Sequence, residues 1–340
     1  MKLRLILLLL SLLTFLPLAS ADDLVVFEGT PGLSGSGKHI VLVAGDEEYR
    51  SEEMLTQMGR ILAKYHGFRC TVLYASNPET GEIEPTVINH IPGLDVLEKA
   101  DLMVMFLRFR DLPDDQMAHI VRYLESGRPL LGIRTSTHAF NIPAGKTWSH
   151  YSFSHSGGDW DGGFGRYVLG ETWINHHGHH KVEASRGVVA PGREKHPIAI
   201  GCDDIFGSSD VYTVRLPLPG DSQPIILGKV LVGMNPDDPP VENEKNDPLM
   251  PILWTKSYCV DNGKLGQAIC STIGSGLDFK SEGVRRLLIN SCYTLLELQD
   301  QISADSSMDL VGEYEPLDFG FGAFRHGFKP KDVMQGNTPY

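Results

Sequence analysis

"PLLGIRTSTHAF", residues 129–140, is an apolar run that stops in an arginine, a cluster of hydroxyls and a histidine. Residues 129–133 have the brevity and apolar character of a buried strand. The turn that follows has the pattern of a nucleophile elbow: apolar strand, Gly132, one apolar residue, then an exposed position. Arg134 occupies that position. Arginine stays protonated in proteins and cannot attack a carbonyl. It supplies a cation instead, either aimed into the sheet crevice to hold a carboxylate or polarise an oxygen, or held in a structural ion pair with Asp46 or Glu48.

The segments before the elbow give this strand its sheet. "IVLVA" (40–44) is a short β-branched run, and Ser51 reads as the cap of a helix with Met54, Leu55, Met58, Ile61, Leu62 and Tyr65 on one face and Gly67 as its stop. "CTVLYA" (70–75) follows, and after a turn-rich stretch comes "DLMVMFL" (101–107), whose unbroken apolar character marks a strand buried on both faces. A second helix carries Met117, Ile120, Val121 and Leu124, with Gly127 behind it. This alternation predicts an α/β fold with a parallel sheet and helices on both faces.

In such sheets ligands sit at the carboxyl ends of the strands, near the point where strand order reverses. Three strand ends therefore supply the candidate site: Asp46, Glu47 and Glu48; Arg108 and Arg110; Arg134 through Ser136 to His138. Two adjacent carboxylates suit a general base or an acceptor for hydroxyl groups, and a cleft can raise one of their pKa values towards neutrality. Glu48, next to Tyr49, is the choice of the two.

From residue 141 the texture changes to Gly, Trp, His and Pro, a loop-rich insertion containing Trp148, Trp160, Trp173 and "HHGHH" (176–180). If that stretch is extended, His176 and His180 share one face, with His177 and His179 on the other. With His138 or a carboxylate from a strand end, His176 and His180 would make a three-ligand site suited to zinc; the alternative is a solvated polar loop. "QPIILGKVLVG", "PILWTKSY" and "LGQAICSTIG" read as strands, the last two joined by Asn262-Gly263, and a last helix spans about residues 281–298. The tail beyond 300, with "FGFGAF", is expected to wrap the surface.

The first residues combine Lys2 and Arg4, an apolar run from Leu5 to Leu16 and Ala19-Ser20-Ala21, the pattern of a secretory leader over residues 1–21. The run is too short to span a membrane, so export to the periplasm or beyond is expected. Cutting there takes the formal charge from -13 to -15 by removing Lys2 and Arg4. No basic stripe offsets that sign, which excludes nucleic acid as a partner. Five cysteines form no CxxC, and a two-residue turn at 262–263 would place Cys259 opposite Gly266 rather than Cys270, so mostly buried free thiols are expected.

The elbow resembles that of class I glutamine amidotransferases at Pro129, Gly132, Ser136 (for a glycine) and His138, with Arg134 in place of their cysteine. The same replacement is seen in the ThuA-like (trehalose utilisation) family, and here the resemblance is broad. It covers residues 38–298: "HIVLVAGDEEYR", "GIRTSTH", "GGFGRYVLGETWINHHGH", "HPI" (196–198), "SDVY" (209–212), "PILWTKSY", "STIG" and the last helix. Asp210 stands where many relatives have a glutamate, and the leader sets the chain apart from cytoplasmic members. It resembles in particular the exported members of planctomycete type.

The resemblance implies a flavodoxin-like, class I glutamine amidotransferase-like domain over 38–298 and a tail (299–340) packing on it. It also implies a role in carbohydrate catabolism on a sugar or keto-sugar derivative, alongside an oxidoreductase partner, without a cysteine nucleophile. The implied catalytic set is Arg134, His138, Glu48 and His177, or His176 in its place. Asp46, Tyr49, Arg108, Arg110, Ser136, Trp173 and His176 would contact the substrate. The competing expectation is a carbohydrate-binding or partner-docking protein that keeps the fold without the chemistry.

Overall fold

The computed structural model describes residues 24–261 and 263–340; the expected leader and Asn262 lie outside the described residues. The order of elements is β1 (Val25–Phe27), β2 (His39–Gly45), α1 (Ser51–His66), β3 (Arg69–Tyr74), β4 (Leu102–Leu107), α2 (Asp114–Glu125) and β5 (Leu130–Ile133). The chain continues with β6 (Ser185–Val189), β7 (Ile205–Gly207), β8 (Gln223–Val230), β9 (Met250–Tyr258), β10 (Gly266–Ser271), α3 (Glu282–Leu295) and α4 (Pro330–Met334).

The strands form one sheet in the order β1-β3-β2-β4-β5-β10-β9-β8-β6-β7. From β3 to β10 all pairings are parallel, and numbered along the chain these five strands run 2-1-3-4-5, the order of a flavodoxin-like sheet. The expected parallel sheet is thus half of a larger one. Beyond β10 the pairings with β9, β8, β6 and β7 are all antiparallel, and β1 adds an antiparallel edge ahead of residue 38.

Both faces of the parallel half are covered, which is why its strands read as continuous apolar runs. Ile40, Leu42 and Ala44 of β2 share a core with Met54, Leu55 and Met58 of α1 and with Val284, Leu287 and Leu288 of α3. Val41 and Val43 join the opposite core with Met117, Ile120, Val121 and Leu124 of α2. In the tail, Met308, Tyr314, Phe319, Val333 and Tyr340 are buried in the same core as α1.

Two local readings are corrected. Ser51 is the first helical residue rather than the cap. Arg50 precedes it in a left-handed conformation (φ 61°), and Ser51 Oγ accepts a 2.9 Å hydrogen bond from the Asp46 amide. The β9–β10 hairpin pairs Tyr258 with Gly266, one residue from the register of a two-residue turn, and sets Cys270 opposite Trp254. All five cysteines are free; Cys70, Cys270 and Cys292 are buried, and Cys259 is exposed.

The insertion is seated on the elbow by two glycines. A Cβ on Gly132 would lie 2.7 Å from Leu169 Cδ1, and one on Gly165 would lie 1.9 Å from the Thr137 carbonyl oxygen. Neither position has room for a side chain, so the insertion carrying the histidines rests directly against the turn after β5.

Candidate active site

Arg134 keeps the backbone of an elbow (φ 44°) but is completely buried. Its guanidinium lies over two aromatic rings, 4.0 Å from the centre of Tyr49 and 4.4 Å from that of Tyr212. Nη1 donates to the carbonyls of Thr272 (2.7 Å) and Asp210 (3.2 Å), and Nη2 to Asp210 Oδ1 (3.0 Å). The cation does hold a carboxylate, but it belongs to the protein. The partner is neither Asp46 nor Glu48, and the side chain does not reach into the crevice.

Asp210 is the hub of the site. It lies just beyond β7, where the chain at Tyr212 makes an antiparallel bridge to His176 and so brings the histidine segment alongside. Besides Arg134 it binds two imidazoles: His176 Nδ1 at 2.7 Å from Oδ2 and His180 Nδ1 at 3.2 Å from Oδ1. Burial opposes its charge, but the hydrogen bonds from His176 and His180 and the Arg134 cation outweigh it and hold the carboxyl well below the usual range.

His180 has both nitrogens engaged, Nδ1 with Asp210 and Nε2 with Glu48 Oε1 at 3.3 Å. The hydrogen bonds to Asp210 and Glu48 raise its pKa to about 9, so it is a cation at neutral pH. His176 is different. Only Nδ1 is committed, its side chain is a third exposed, and Nε2 has no hydrogen-bond partner among the described residues. An imidazole oriented by a buried carboxylate on one nitrogen and open on the other is suited to general acid–base work.

The crevice between β2 and β4, where strand order reverses, is filled by ion pairs. Glu47 binds Arg108 Nη1 and, at 2.9 Å, Arg110 Nη2. Arg110 is fully buried and its other donors go to the carbonyls of Arg108, Pro85 and Val87, so in place of the expected open donor it ties loops together. Ser136 is likewise committed, donating to the Met105 carbonyl (2.8 Å) and accepting from the Leu107 amide (3.2 Å).

Asp46 is buried, accepts from the Glu48 and Tyr49 amides and from Thr135 Oγ1 (2.6 Å), and so shapes the turn instead of facing a ligand. Burial, with Glu47 adding to it, raises its pKa to about 6. For Glu48 the expected rise does not occur. Burial works in that direction, but the hydrogen bond from His180 and the Arg108 and Arg134 cations prevail and keep it below its ordinary value.

His138 is buried with Nδ1 3.1 Å from Thr137 Oγ1, and burial, reinforced by Arg108 and Arg134, keeps its imidazole neutral. Half-buried aromatic rings surround it: Phe109 at 5.0 Å, Trp173 at 5.5 Å and Phe153 at 6.4 Å between ring centres. Trp173 is also 5.7 Å from His176, so one indole links the two histidines. His177 lies elsewhere, its Nε2 bound to the Lys245 carbonyl at 2.7 Å, as the alternation of faces along an extended segment requires. Of the two, His176 and not His177 lies beside Asp210. Trp148 and Trp160 are partly buried and pack against the core beside Tyr151.

No family profile matches the sequence, and no curated protein does. Among solved structures, a ThuA-like protein of Bacteroides uniformis ATCC 8492 is 12% identical with a TM-score of 0.46, covering 78% of this chain and 95% of the other. One from Parabacteroides merdae ATCC 43184 is 11% identical with a TM-score of 0.48, covering 76% and 90%. This chain is similar to ThuA-like proteins. A cytoplasmic protein from Salmonella typhimurium is 12% identical with a TM-score of 0.41, covering 75% and 98%.

The expected pairing of His176 and His180 with a carboxylate is met by Asp210, and the three offer donor atoms within 4.8 Å of one another. Two nitrogens and an oxygen are ligand types zinc accepts. As arranged, the donors hydrogen-bond to one another, and the Arg134 cation shares Asp210 Oδ1, a neighbour that opposes a second cation. Sequence reasoning named Asp210 and Tyr212 only within the "SDVY" resemblance, with no role in the site, and missed the tail's Phe319. A carboxylate set among apolar residues in "SSDVYTV" was the available signal for the first.

Proposed function

We propose that this chain is an exported ThuA-like enzyme that acts on a sugar or keto-sugar by proton transfer, with His176 as the general acid–base residue and no cysteine nucleophile. The observation that carries the proposal is the Asp210–His176 pair at the carboxyl end of the sheet, separated from the neutral His138 by Trp173. A half-buried indole between two imidazoles offers an apolar face for a pyranose ring with polar groups at its edge. The strand order and the elbow support a place in the class I glutamine amidotransferase-like superfamily, and residues 1–21 support export.

In this reading His176 Nε2 takes a proton from the carbon next to a keto group, and the bonding pair moves to the carbonyl oxygen as an enolate. Asp210 stabilises the imidazolium formed. Return of the proton to the former carbonyl carbon, with the adjacent hydroxyl proton passed to the enolate oxygen, gives an isomer; expulsion of the oxygen substituent on the next carbon, which takes the proton from His176 and leaves as an alcohol, gives elimination. His138 is placed to exchange a hydrogen bond with a substrate oxygen, and His180, closed between Asp210 and Glu48, contributes fixed positive charge. An oxidoreductase that makes keto-sugars would supply the substrate.

The test is thermal unfolding of residues 22–340 against mono- and disaccharides, their keto derivatives, and zinc or EDTA, followed by turnover assays on whatever binds. A ligand at 100 times its dissociation constant adds about 2.7 kcal/mol to stability. Stabilisation by one sugar class with catalytic turnover lost in His176→Gln supports the reading. Binding without turnover moves the protein to the carbohydrate-binding class, and a stability that depends on zinc moves the chemistry to a metal at His176, His180 and Asp210.

A further inference from the structure

We propose that tail residues 308–340 form a strap latched on α1 by protons on Glu52 and Glu53: it is closed while these carboxyls are neutral and lifts over 314–325 when they ionise. The strap concerns what covers the candidate site and is independent of what that site binds.

Little regular structure holds the strap. Among the described residues no helix or strand occurs between Ile302 and Lys329, so attachment rests on single hydrogen bonds and a few buried side chains. The Val311 amide donates to Gln57 Oε1 (2.9 Å), the Leu317 amide to Glu53 Oε2 (2.9 Å) and the Gly320 amide to the Glu48 carbonyl (2.7 Å). Phe319 is buried, its ring centre 5.4 Å from both Tyr49 and His180. The closed strap therefore covers the imidazole that joins Asp210 to Glu48.

Beneath it lies a concentration of unpartnered polar atoms. Glu52 is 3% exposed, and neither of its carboxyl oxygens has a hydrogen-bond partner among the described residues. The same holds for Glu53 Oε1, for Nε and Nη1 of Arg50 and for Nε of Arg325, which stands 3.6 Å from Glu53 Oε1. A carboxylate buried without donors loses its hydration and gains nothing in return, so a carboxyl in such a place keeps its proton.

The groups that face the pair do not reverse this. Asp46 and Arg50 face it from the turn before α1, the Tyr74 phenol from β3, and Tyr314, Arg325 and Tyr340 from the strap. Burial outweighs Arg50 at Glu52, where the neighbouring Glu53 adds to it, and carries that carboxyl up to about 8. At Glu53 burial outweighs the Leu317 amide and the Arg325 and Arg50 cations and carries it up to about 7. The phenols are themselves raised by burial and stay neutral.

Ionisation is relieved most readily on the strap side, because α1 and β3 are locked into the core. The closed form holds these protons more tightly than water-exposed carboxyls do. Closure is therefore at full strength below their ordinary value of 4.5 and is lost as pH rises through about 7 and 8. The same lift takes Phe319 off His180 and Phe321, 4.8 Å from the Arg108 guanidinium, off Arg108, so this edge of the site opens at mildly alkaline pH.

Hydrogen exchange of residues 22–340, read by mass spectrometry from pH 5 to 9 and corrected for the intrinsic rate at each pH, tests the proposal on wild type, Glu52→Gln, Glu53→Gln and the double variant. Expected in peptides covering 314–325 is a loss of protection of at least about 100-fold between pH 5 and pH 8, relative to peptides of α2. Each single variant should show a shallower dependence, and the double variant should stay protected throughout. If the double variant does not fold, the two single variants carry the comparison. Constant protection of 314–325 in wild type, or a dependence as steep in the variants as in wild type, would overturn the strap. No sugar enters the measurement, so either result leaves the acid–base reading to its own test.

Discussion

Two carboxylates, Glu47 and Asp210, each meet arginine at the carboxyl end of the sheet, yet they do different things. Glu47 sits at the reversal of strand order and is saturated by Arg108 and Arg110, groups that stay charged at every relevant pH. Asp210 shares its oxygens between Arg134 and two imidazoles, one of which keeps an open nitrogen. A carboxylate closed by arginine fixes loops, whereas one that also holds a titratable ring can pass a proton. The expected crevice of this fold is thus filled by ion pairs, and the one open imidazole of the cluster lies where the insertion meets the antiparallel half.

Substituting the two carboxylates in turn should separate these roles. The largest effect is expected of Asp210→Asn, which leaves Arg134 buried without its counter-charge. Stability should fall by about 3–5 kcal/mol, read from denaturant unfolding, and turnover should vanish with it. His176→Gln should lower kcat by about 10²–10⁴-fold with little change in Tm, because the ring is a third exposed. Glu47→Gln should cost about 3 kcal/mol of stability but leave kcat within a few-fold of wild type. A kcat loss there as large as that of His176→Gln would erase the distinction.

A smaller effect concerns pH. The His180 pKa is raised from 6.5 to about 9, so the stability it contributes is fully present below about pH 6.5 and is lost as pH rises through about 9. Unfolding free energies measured across that window should fall more steeply for wild type than for His180→Gln. The smallest expectation is no change: alkylation of the exposed Cys259 should leave turnover intact, since no thiol lies at the elbow.

The parallel half was legible because strands buried on both faces advertise themselves as unbroken runs such as "DLMVMFL", and Gly67 and Gly127 end the helices as read, both at positive φ. Arg134, His138 and Glu48 were singled out as polar residues at strand ends and His176 by resemblance, and the structure sets all four near one another. Which of these residues are spent internally was not legible. Arg110 and Ser136 have the same local pattern as substrate-binding residues, and only contacts with backbone 25 and 31 residues away show them to be structural. Asp210 meets Arg134 across 76 residues, and Phe319 meets His180 from the far end of the chain, distances over which no local periodicity carries information.

The sheet's two margins carry a further consequence. β1 and β7, the outermost strands, are three residues each, in a sheet ten strands wide. On the β1 side the Val26 amide is also turned to Met334 Sδ of α4, at 3.3 Å. Open strand margins are templates on which other chains can polymerise, and short or covered ones give such growth little to start from. A broad sheet finished in this way should remain dispersed in concentrated solution.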